Sequence, residues 1–290
     1  MLRDHGGDDH GPAEVLAHLG VPESALVGSG GEAWVYAIDD ERVVRILRPT
    51  GEPNQDPRYA LVNELRRTPR AFQLPEMLDH GSVGSRYYWI ERRIEGRSVA
   101  LELQSLDRQD RNRLITAHLD AAASLGDLRL DERGFFGDLV APNPVRTQTW
   151  HGYLVEKVAT SVAAAPGFDA VDAEELAAGM PECESGTFVH LDAYAANMLA
   201  AGSSITAVID IGTTSVVGDR RLDALSATVY LCASPITPEA DDADRAVARA
   251  WLDDAGLASW FEPARRWLAG YWAHAVDDQA LHQWCRDVLL

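Results

Sequence analysis

The chain has 290 residues, of which 46% are hydrophobic and 24% charged, and its formal net charge is −19. This composition excludes a disordered chain, the acidic balance argues against a nucleic-acid-binding surface, and no apolar run reaches the roughly 20 residues of a membrane-spanning helix. Three cysteines lie far apart without a CxxC pair, which argues against a disulfide framework or a zinc site. Because the first residues lack a basic head and an apolar stretch, we expect a cytoplasmic protein.

The first third of the chain is rich in strand signals. Residues 1–12, dominated by Gly, Asp and His, are expected to form a flexible tail, and 13–95 a β-rich N-terminal lobe. Apolar spacing predicts helices at Pro12–Leu19 and Arg58–Arg67. The predicted strands are Ala25–Gly28, Trp34–Ile38, Arg42–Leu47, Met77–His80 and Arg86–Ile94.

From residue 96 onward the apolar spacing becomes helical, which predicts a mainly helical C-terminal lobe over 96–290 and an α+β fold class. This part also holds most of the negative charge, since 97–290 contains 29 acidic and 15 basic residues. The predicted helices are Arg108–Leu125, Trp150–Ala165, Ala173–Ala178, Leu222–Leu231, Asp241–Ala255 and Pro263 to the end. Short strands interrupt them at Phe188–Leu191, Asn197–Ala200 and Ile205–Ile209.

One segment carries the sharpest chemical signal. His190, Asp192 and Asn197 stand at relative positions 0, 2 and 7 between apolar strand-forming residues, and a second apolar strand delivers Asp210 onto Gly212. Carboxylate and amide oxygens are hard donors suited to magnesium with a phosphate chain. A further carboxylate could orient a hydroxyl nucleophile.

This pattern resembles the catalytic and metal-binding loops of the aminoglycoside phosphotransferase family, whose members are small-molecule kinases with a protein-kinase-like fold of two lobes. Gly218 to Leu225 resembles that family's G-D-P-x-x-D-L-A segment. The resemblance implies that Asp192 is the catalytic base or the group that orients the hydroxyl, and that Asn197 and Asp210 bind magnesium. Structural support is expected from His190, Asp219 and Asp223.

The glycine cluster Gly28, Ser29, Gly30 and Gly31 lies between two predicted strands. In the kinase interpretation its backbone N–H groups cover the phosphates of ATP, although such a hairpin is also a common turn. On the next strand Arg45 stands where the family has lysine, and Lys157 is the one lysine of the whole chain. A guanidinium keeps the charge and suits phosphate oxygens. The alternative is that Arg45 faces solvent on an alternating strand.

Three further residues complete the predicted nucleotide site. Glu64, on the following helix, is expected either to hold Arg45 or to be a solvated charge beside Arg66 and Arg67. If Gly96 corresponds to the family's glycine after the hinge, the backbone of Arg92 and Ile94 faces the adenine.

The resemblance implies an ATP- and Mg²⁺-dependent phosphotransferase acting on a hydroxyl of a small molecule. The acidic C-terminal lobe favours a cationic acceptor, so an aminoglycoside-like or other antibiotic is the first expectation and a sugar or metabolite the second. Leu191 replaces the family's usual glycine and Arg220 its proline. The departures at Leu191 and Arg45 leave open a nucleotide-binding pseudokinase with a regulatory role. A protein kinase fits less well, because no Ala-Pro-Glu segment follows Asp210.

The last third of the chain is rich in aromatic and acidic residues with two interpretations. Tryptophans such as Trp272 are typical of helix packing, although one or two could line a substrate pocket. Asp277 and Asp278 could attract an amine on the acceptor, and acidic residues also begin helices.

Overall fold

The computed structural model describes residues 11–29, 33–48 and 57–290, which form two compact units. The first contains the described residues up to Ala60 together with Pro75–Ile94, and the second contains Leu61–Leu74 and Glu95–Leu290. Residues 61–74, placed by the sequence analysis in the β-rich lobe, thus belong to the helical unit. The reason is packing, because Leu61 and Leu65 lie in the core of that unit.

An antiparallel five-stranded sheet in the order β1-β2-β3-β5-β4 builds the first unit. Val44 and Ile46 alternate with Arg45 along β3, so their side chains meet Tyr88 of β5 and the short helix α1 in one core. The described elements are α1 (Ala13–Leu19), β1 (Leu26–Ser29), β2 (Ala33–Ala37), β3 (Arg42–Leu47), α2 (Pro57–Leu65, which continues into the second unit), β4 (Met77–Val83) and β5 (Arg86–Arg92).

Helices dominate the second unit. Their starts are fixed by side chains that accept the first free N–H groups, as Thr149 does for α5 and Asp241 with Asp244 for α8. Helix α5 packs on α9, and α4 packs on α7 and α8. The helices are α3 (Val99–Leu103), α4 (Arg108–Ser124), α5 (Trp150–Ala163), α6 (Ala173–Ala178), α7 (Leu222–Cys232), α8 (Asp242–Asp254), α9 (Phe261–Trp272) and α10 (Gln279–Leu289).

Two small antiparallel sheets lie among these helices. One has the order β11-β10-β6 and the other β8-β7-β12-β9. The loop with the His, Asp and Asn signal connects β9 of one sheet to β10 of the other. The strands are β6 (Arg97–Ser98), β7 (Phe136–Asp138), β8 (Arg146–Thr147), β9 (Thr187–Val189), β10 (Met198–Ala201), β11 (Ser204–Val208) and β12 (Val216–Gly218).

The main departure from the predicted elements is at the C-terminus. The helix expected from Pro263 to the end is two helices, α9 and α10. The side chain of Asp278 accepts the N–H of Leu281 at 3.0 Å and starts a new helix. Among the described residues, no helix combines the length and apolarity needed to cross a membrane.

Candidate active site

Asp192 and Asn197 are in direct contact at opposite ends of the loop between β9 and β10. The Asn197 Nδ2 donates to the Asp192 Oδ2 at 2.9 Å and to the Asp192 carbonyl at 3.0 Å. Since one end of the amide faces Asp192, its Oδ1 is directed away from that carboxylate. The loop therefore brings a carboxylate and an amide oxygen into one small region.

His190 connects this loop to the strand end that precedes Asp210. Its Nε2 donates to the carbonyl of Ile209 at 3.0 Å, and its Nδ1 accepts the N–H of Asp192 at 3.3 Å. These partners require the neutral ring with the proton on Nε2, and burial lowers the His190 pKa, which favours the same form. The Ile209 N–H also donates to the Asn197 carbonyl at 2.9 Å, so Asp210 follows a residue held by both sides of the loop.

Leu191 and Asp210 have left-handed backbones, with φ of 65° and 62°, and no other non-glycine residue in the described ranges has a positive φ. For a leucine this conformation costs about 1–2 kcal/mol, which the surroundings must offset. Asp223, at the start of α7, contributes through both carboxylate oxygens, which accept the N–H groups of His190 (2.9 Å) and Leu191 (2.8 Å). Burial raises the Asp223 pKa to about 7, against the lowering effect of these two bonds.

Asp219 has a different role from Asp223, although both belong to one motif. Its carboxylate accepts the backbone N–H of Arg221 at 2.8 Å and forms an ion pair with the Arg221 guanidinium at 2.5 Å. It thus stabilises the turn between β12 and α7, from which Asp223 reaches the loop.

A cavity of about 360 Å³ opens beside Asp192. Its wall combines three aromatic rings, Tyr194, Tyr230 and Trp272, with a second carboxylate, Asp278. Apolar contacts from Pro235, Ile236, Ala275, Ala280 and Leu281 complete it. Aromatic faces and carboxylates together suit a cationic ligand with an apolar body.

The pKa of Tyr194 shows that the region around the cavity is negatively charged. Burial, followed by the charges of Asp192, Asp210 and Asp278, raises the Tyr194 pKa to about 12. The three carboxylates therefore act on one phenol, and the hydroxyl stays protonated at neutral pH.

Asn197 and Asp210 offer oxygen donors that fit a magnesium ion. Mg²⁺ is commonly held by one or two carboxylates with substrate phosphates and water. Within the described ranges, no group of three or more His, Cys, Asp or Glu side chains could hold a metal by itself. The donor set therefore fits an ion that arrives with a phosphate chain better than a closed protein cage.

The first unit contains most of the residues predicted to hold the nucleotide, and Glu64 belongs to the second. Gly28 and Ser29 end β1, and the Ser29 Oγ accepts from the Arg48 Nη2 at 2.8 Å, whereas Gly30 and Gly31 lie outside the described residues. Arg45 is paired with Glu91 of the neighbouring strand, Nε to Oε1 at 3.3 Å. The side chain of Arg45 is only 17% exposed, so the alternative of a solvent-facing arginine is wrong.

Glu64 is buried, and its partners in the structure belong to the second unit. Its buried carboxylate accepts from the Arg133 guanidinium and from the Asp131 N–H, and all three residues belong to the second unit. The solvated interpretation is therefore wrong, and contact of Glu64 with Arg45 of the first unit stays a prediction.

One of the two backbone groups of Arg92 that were predicted to face the adenine already has a partner within the protein. The N–H of Arg92 donates to the Glu76 carbonyl at 2.8 Å, because this end of β5 runs beside the residue before β4. Arg92 could therefore offer a nucleobase its carbonyl but not its N–H. The role of Ile94 stays a prediction.

Sequence reasoning missed several residues that the structure brings to these sites. Glu91 could have been found, because it lies diagonally opposite Arg45 on the neighbouring strand, whose register pairs Arg45 with Trp89. Tyr194 and Tyr230 gave no signal beyond ordinary core aromatics, whereas Trp272 belongs to the tryptophans for which lining of a pocket was the second interpretation. Asp278 satisfies both interpretations, since it caps α10 and also lines the cavity.

An antiparallel sheet unit followed by a helical unit with an H-x-D-x₄-N loop is the organisation of kinase-like phosphotransferases. A family model described as "Phosphotransferase enzyme family" matches residues 25–281. The chain belongs to this phosphotransferase family. The expected α+β, kinase-like fold is confirmed.

Solved structures of aminoglycoside phosphotransferases are similar over most of the chain. A streptomycin–ATP complex of APH(2″)-IIa is 13% identical with a TM-score of 0.52, covering 95% of both chains. A GDP complex of an aminoglycoside 2′-phosphotransferase-IIIa variant is 13% identical with a TM-score of 0.58, covering 95% of this chain and 94% of the other. APH(3″)-Id from Streptomyces rimosus, with ADP and streptomycin, is 13% identical with a TM-score of 0.51, covering 87% and 96%. At these identities the likeness concerns the fold, and no curated protein matches the sequence.

Proposed function

We propose that this protein transfers the γ-phosphoryl group of ATP, with Mg²⁺, to a hydroxyl of a cationic small molecule, with an aminoglycoside-like antibiotic as the first candidate. One observation carries the proposal: Asp192 contacts Asn197 on one side and lines a cavity with aromatic and acidic walls on the other. The structural relatives bind ATP, ADP or GDP, and several bind aminoglycosides.

Asp192 is the group that acts on the acceptor. A hydroxyl bound in the cavity can donate its proton to the carboxylate, which orients the oxygen for attack on phosphorus. Asn197 holds this carboxylate in place through its Nδ2, and its Oδ1, with Asp210, would bind the magnesium ion. When bound, that ion neutralises charge on the phosphate oxygens.

The other residues of the proposed site would recognise either the nucleotide or the acceptor. In the first unit, Arg45 and the backbone of Gly28–Gly31 would bind the triphosphate, with Glu91 keeping the guanidinium oriented. In the second unit, Asp278 would pair with an ammonium group of the acceptor, and Trp272 would cover its carbon skeleton.

An acceptor screen tests this proposal. The purified chain is incubated with Mg-ATP and, separately, streptomycin, gentamicin, kanamycin, a hexose or an amino alcohol, and phosphate addition is followed by mass spectrometry. We expect addition to at least one aminoglycoside, abolished by EDTA and restored by Mg²⁺. Preferred addition to the hexose would replace the acceptor class but keep the chemistry. Binding of Mg-ATP without transfer to any acceptor would instead indicate a regulatory nucleotide-binding protein.

A further inference from the structure

The two peptide groups that flank Leu191 are held at all four of their polar atoms. In the first, the His190 carbonyl accepts from the Thr214 Oγ1 at 3.1 Å, and the Leu191 N–H donates to Asp223 at 2.8 Å. In the second, the Leu191 carbonyl accepts from the Tyr230 hydroxyl at 3.2 Å, and the Asp192 N–H donates to the His190 Nδ1 at 3.3 Å. Side chains thus fix both planes around a left-handed leucine.

The Tyr230 hydroxyl has a second hydrogen-bond partner, which belongs to the cavity wall. The Trp272 Nε1 donates to the Tyr230 hydroxyl at 2.7 Å, so the phenol accepts from an indole and donates to a carbonyl. Tyr230 and Trp272 also line the cavity beside Asp192. The chain of bonds from Trp272 through Tyr230 to Leu191 therefore connects the cavity wall to the peptide from which Asp192 extends.

Glycine adopts a left-handed backbone without cost, whereas leucine does so only where its surroundings enforce it. The Leu191 side chain is fully buried, so packing fixes the residue on one side. The carbonyl of Leu191 would turn away from Tyr230 if the backbone relaxed toward negative φ. The plane of the Leu191–Asp192 peptide, and with it the direction of the Asp192 side chain, would then change.

We propose that Tyr230 is a positioning residue, which holds the left-handed Leu191 peptide through its hydroxyl, is itself held by Trp272, and thereby aims Asp192 at the acceptor hydroxyl. This inference rests on the proposed function, since it assigns Asp192 the reacting position. An acceptor that packs against Trp272 would also restrain the indole that bonds Tyr230. Occupancy of the cavity and alignment of Asp192 are then coupled by two hydrogen bonds.

The test combines Y230F with two substitutions of Leu191. L191A and L191G both remove the buried side chain, but only L191G makes the left-handed backbone free of strain. The readout is hydrolysis of Mg-ATP, in which water takes the place of the acceptor hydroxyl beside Asp192. Contacts between an acceptor and the cavity therefore do not affect the measured rate. We expect Y230F to lower kcat at least tenfold in the wild-type chain and in L191A, and less than threefold in L191G, with KM for ATP unchanged within twofold.

A second pair of variants tests the bond to Trp272. W272F keeps an aromatic wall but removes the indole N–H, so it should lower kcat less than Y230F does. The double variant Y230F/W272F should then be no slower than Y230F alone. Additive losses in kcat would overturn the chain of bonds.

The matched control is Y153F, which removes another buried hydroxyl, one that donates to Asp138 at 3.2 Å. Y153F should change kcat by the same factor whether or not L191G is present. Equal effects of Y230F in L191A and L191G would overturn the positioning role.

Urea unfolding of the same variants separates this inference from the proposed function. If the folded wild-type chain neither hydrolyses Mg-ATP nor phosphorylates any acceptor, the proposed function fails. Tyr230 still holds Leu191 if Y230F destabilises L191A more than L191G. Identical losses of stability in those two backgrounds would overturn the inference whatever the activity.

Discussion

Replacing Asp192 by asparagine should abolish most phosphoryl transfer while leaving the fold intact. Asparagine has the same shape, and its Oδ1 can keep the bond to the Asn197 Nδ2, now 2.9 Å from the Asp192 Oδ2. What is lost is the oxygen that can take a proton from the acceptor. Removal of a general base costs about 100- to 10,000-fold in rate, which corresponds to about 3–5 kcal/mol in the activation barrier.

The assay is release of ADP in the presence of an acceptor found in the screen, with KM and kcat measured separately. D192N should lower kcat and keep the thermal shift caused by Mg-ATP. D278N should raise the acceptor KM instead, since asparagine still caps α10 but no longer attracts an ammonium group. D277N, at an exposed position that does not line the cavity, is the matched control. Turnover of D192N within twofold of the wild type would refute the role given to this carboxylate.

Three further predictions concern stability, measured by urea unfolding. Burial lowers the His118 pKa from 6.5 to about 4, so the contribution of His118 to the free energy of unfolding is fully present above pH 6.5 and is lost as the pH falls toward 4. Over that interval the free energy of unfolding of the wild type should fall by about 3 kcal/mol more than that of H118L, and equal losses would contradict the reasoning. K157M leaves the fully buried Asp138 without its cation and should cost about 3–5 kcal/mol, partly recovered in D138N/K157M; no recovery would show that the charge is not the cause. G96A should cost about 1–3 kcal/mol, because Gly96 has φ +128° and an added Cβ would lie 2.7 Å from the Thr206 Oγ1, and an unchanged midpoint would show that this loop relaxes freely.

Local sequence patterns predicted the elements that depend on local forces. Strand β3 and helix α6 have the predicted bounds, since a short apolar run between turn residues fixes the one and the Asp172 cap the other. The three-residue strand β12 was missed, because Val216 and Val217 are too short a run to show a period. Its pairing with β9 and β7 is decided by residues far away in the chain.

The candidate site shows the same division. The contact between Asp192 and Asn197 could be predicted, because they are only five positions apart and both sit in one loop. The partners of Glu64 could not, because they depend on which loop lies beside it in space, whereas Glu91 opposite Arg45 follows once the pairing of β3 with β5 is known. The support of Leu191 by Tyr230 crosses 39 residues, and a leucine at that position gave only the signal of a departure from the family pattern.

Lys157, the one lysine of the sequence, can serve as a chemical probe of local opening. The Lys157 Nζ lies 2.8 Å from an Asp138 oxygen, and the side chain is 16% exposed. An amine-acylating reagent has this single side-chain target besides the terminal amine, and it can react only when the ion pair opens. The rate of acylation at Lys157, read by peptide mass mapping, would therefore give the opening equilibrium around β7 and α5 without any engineered label.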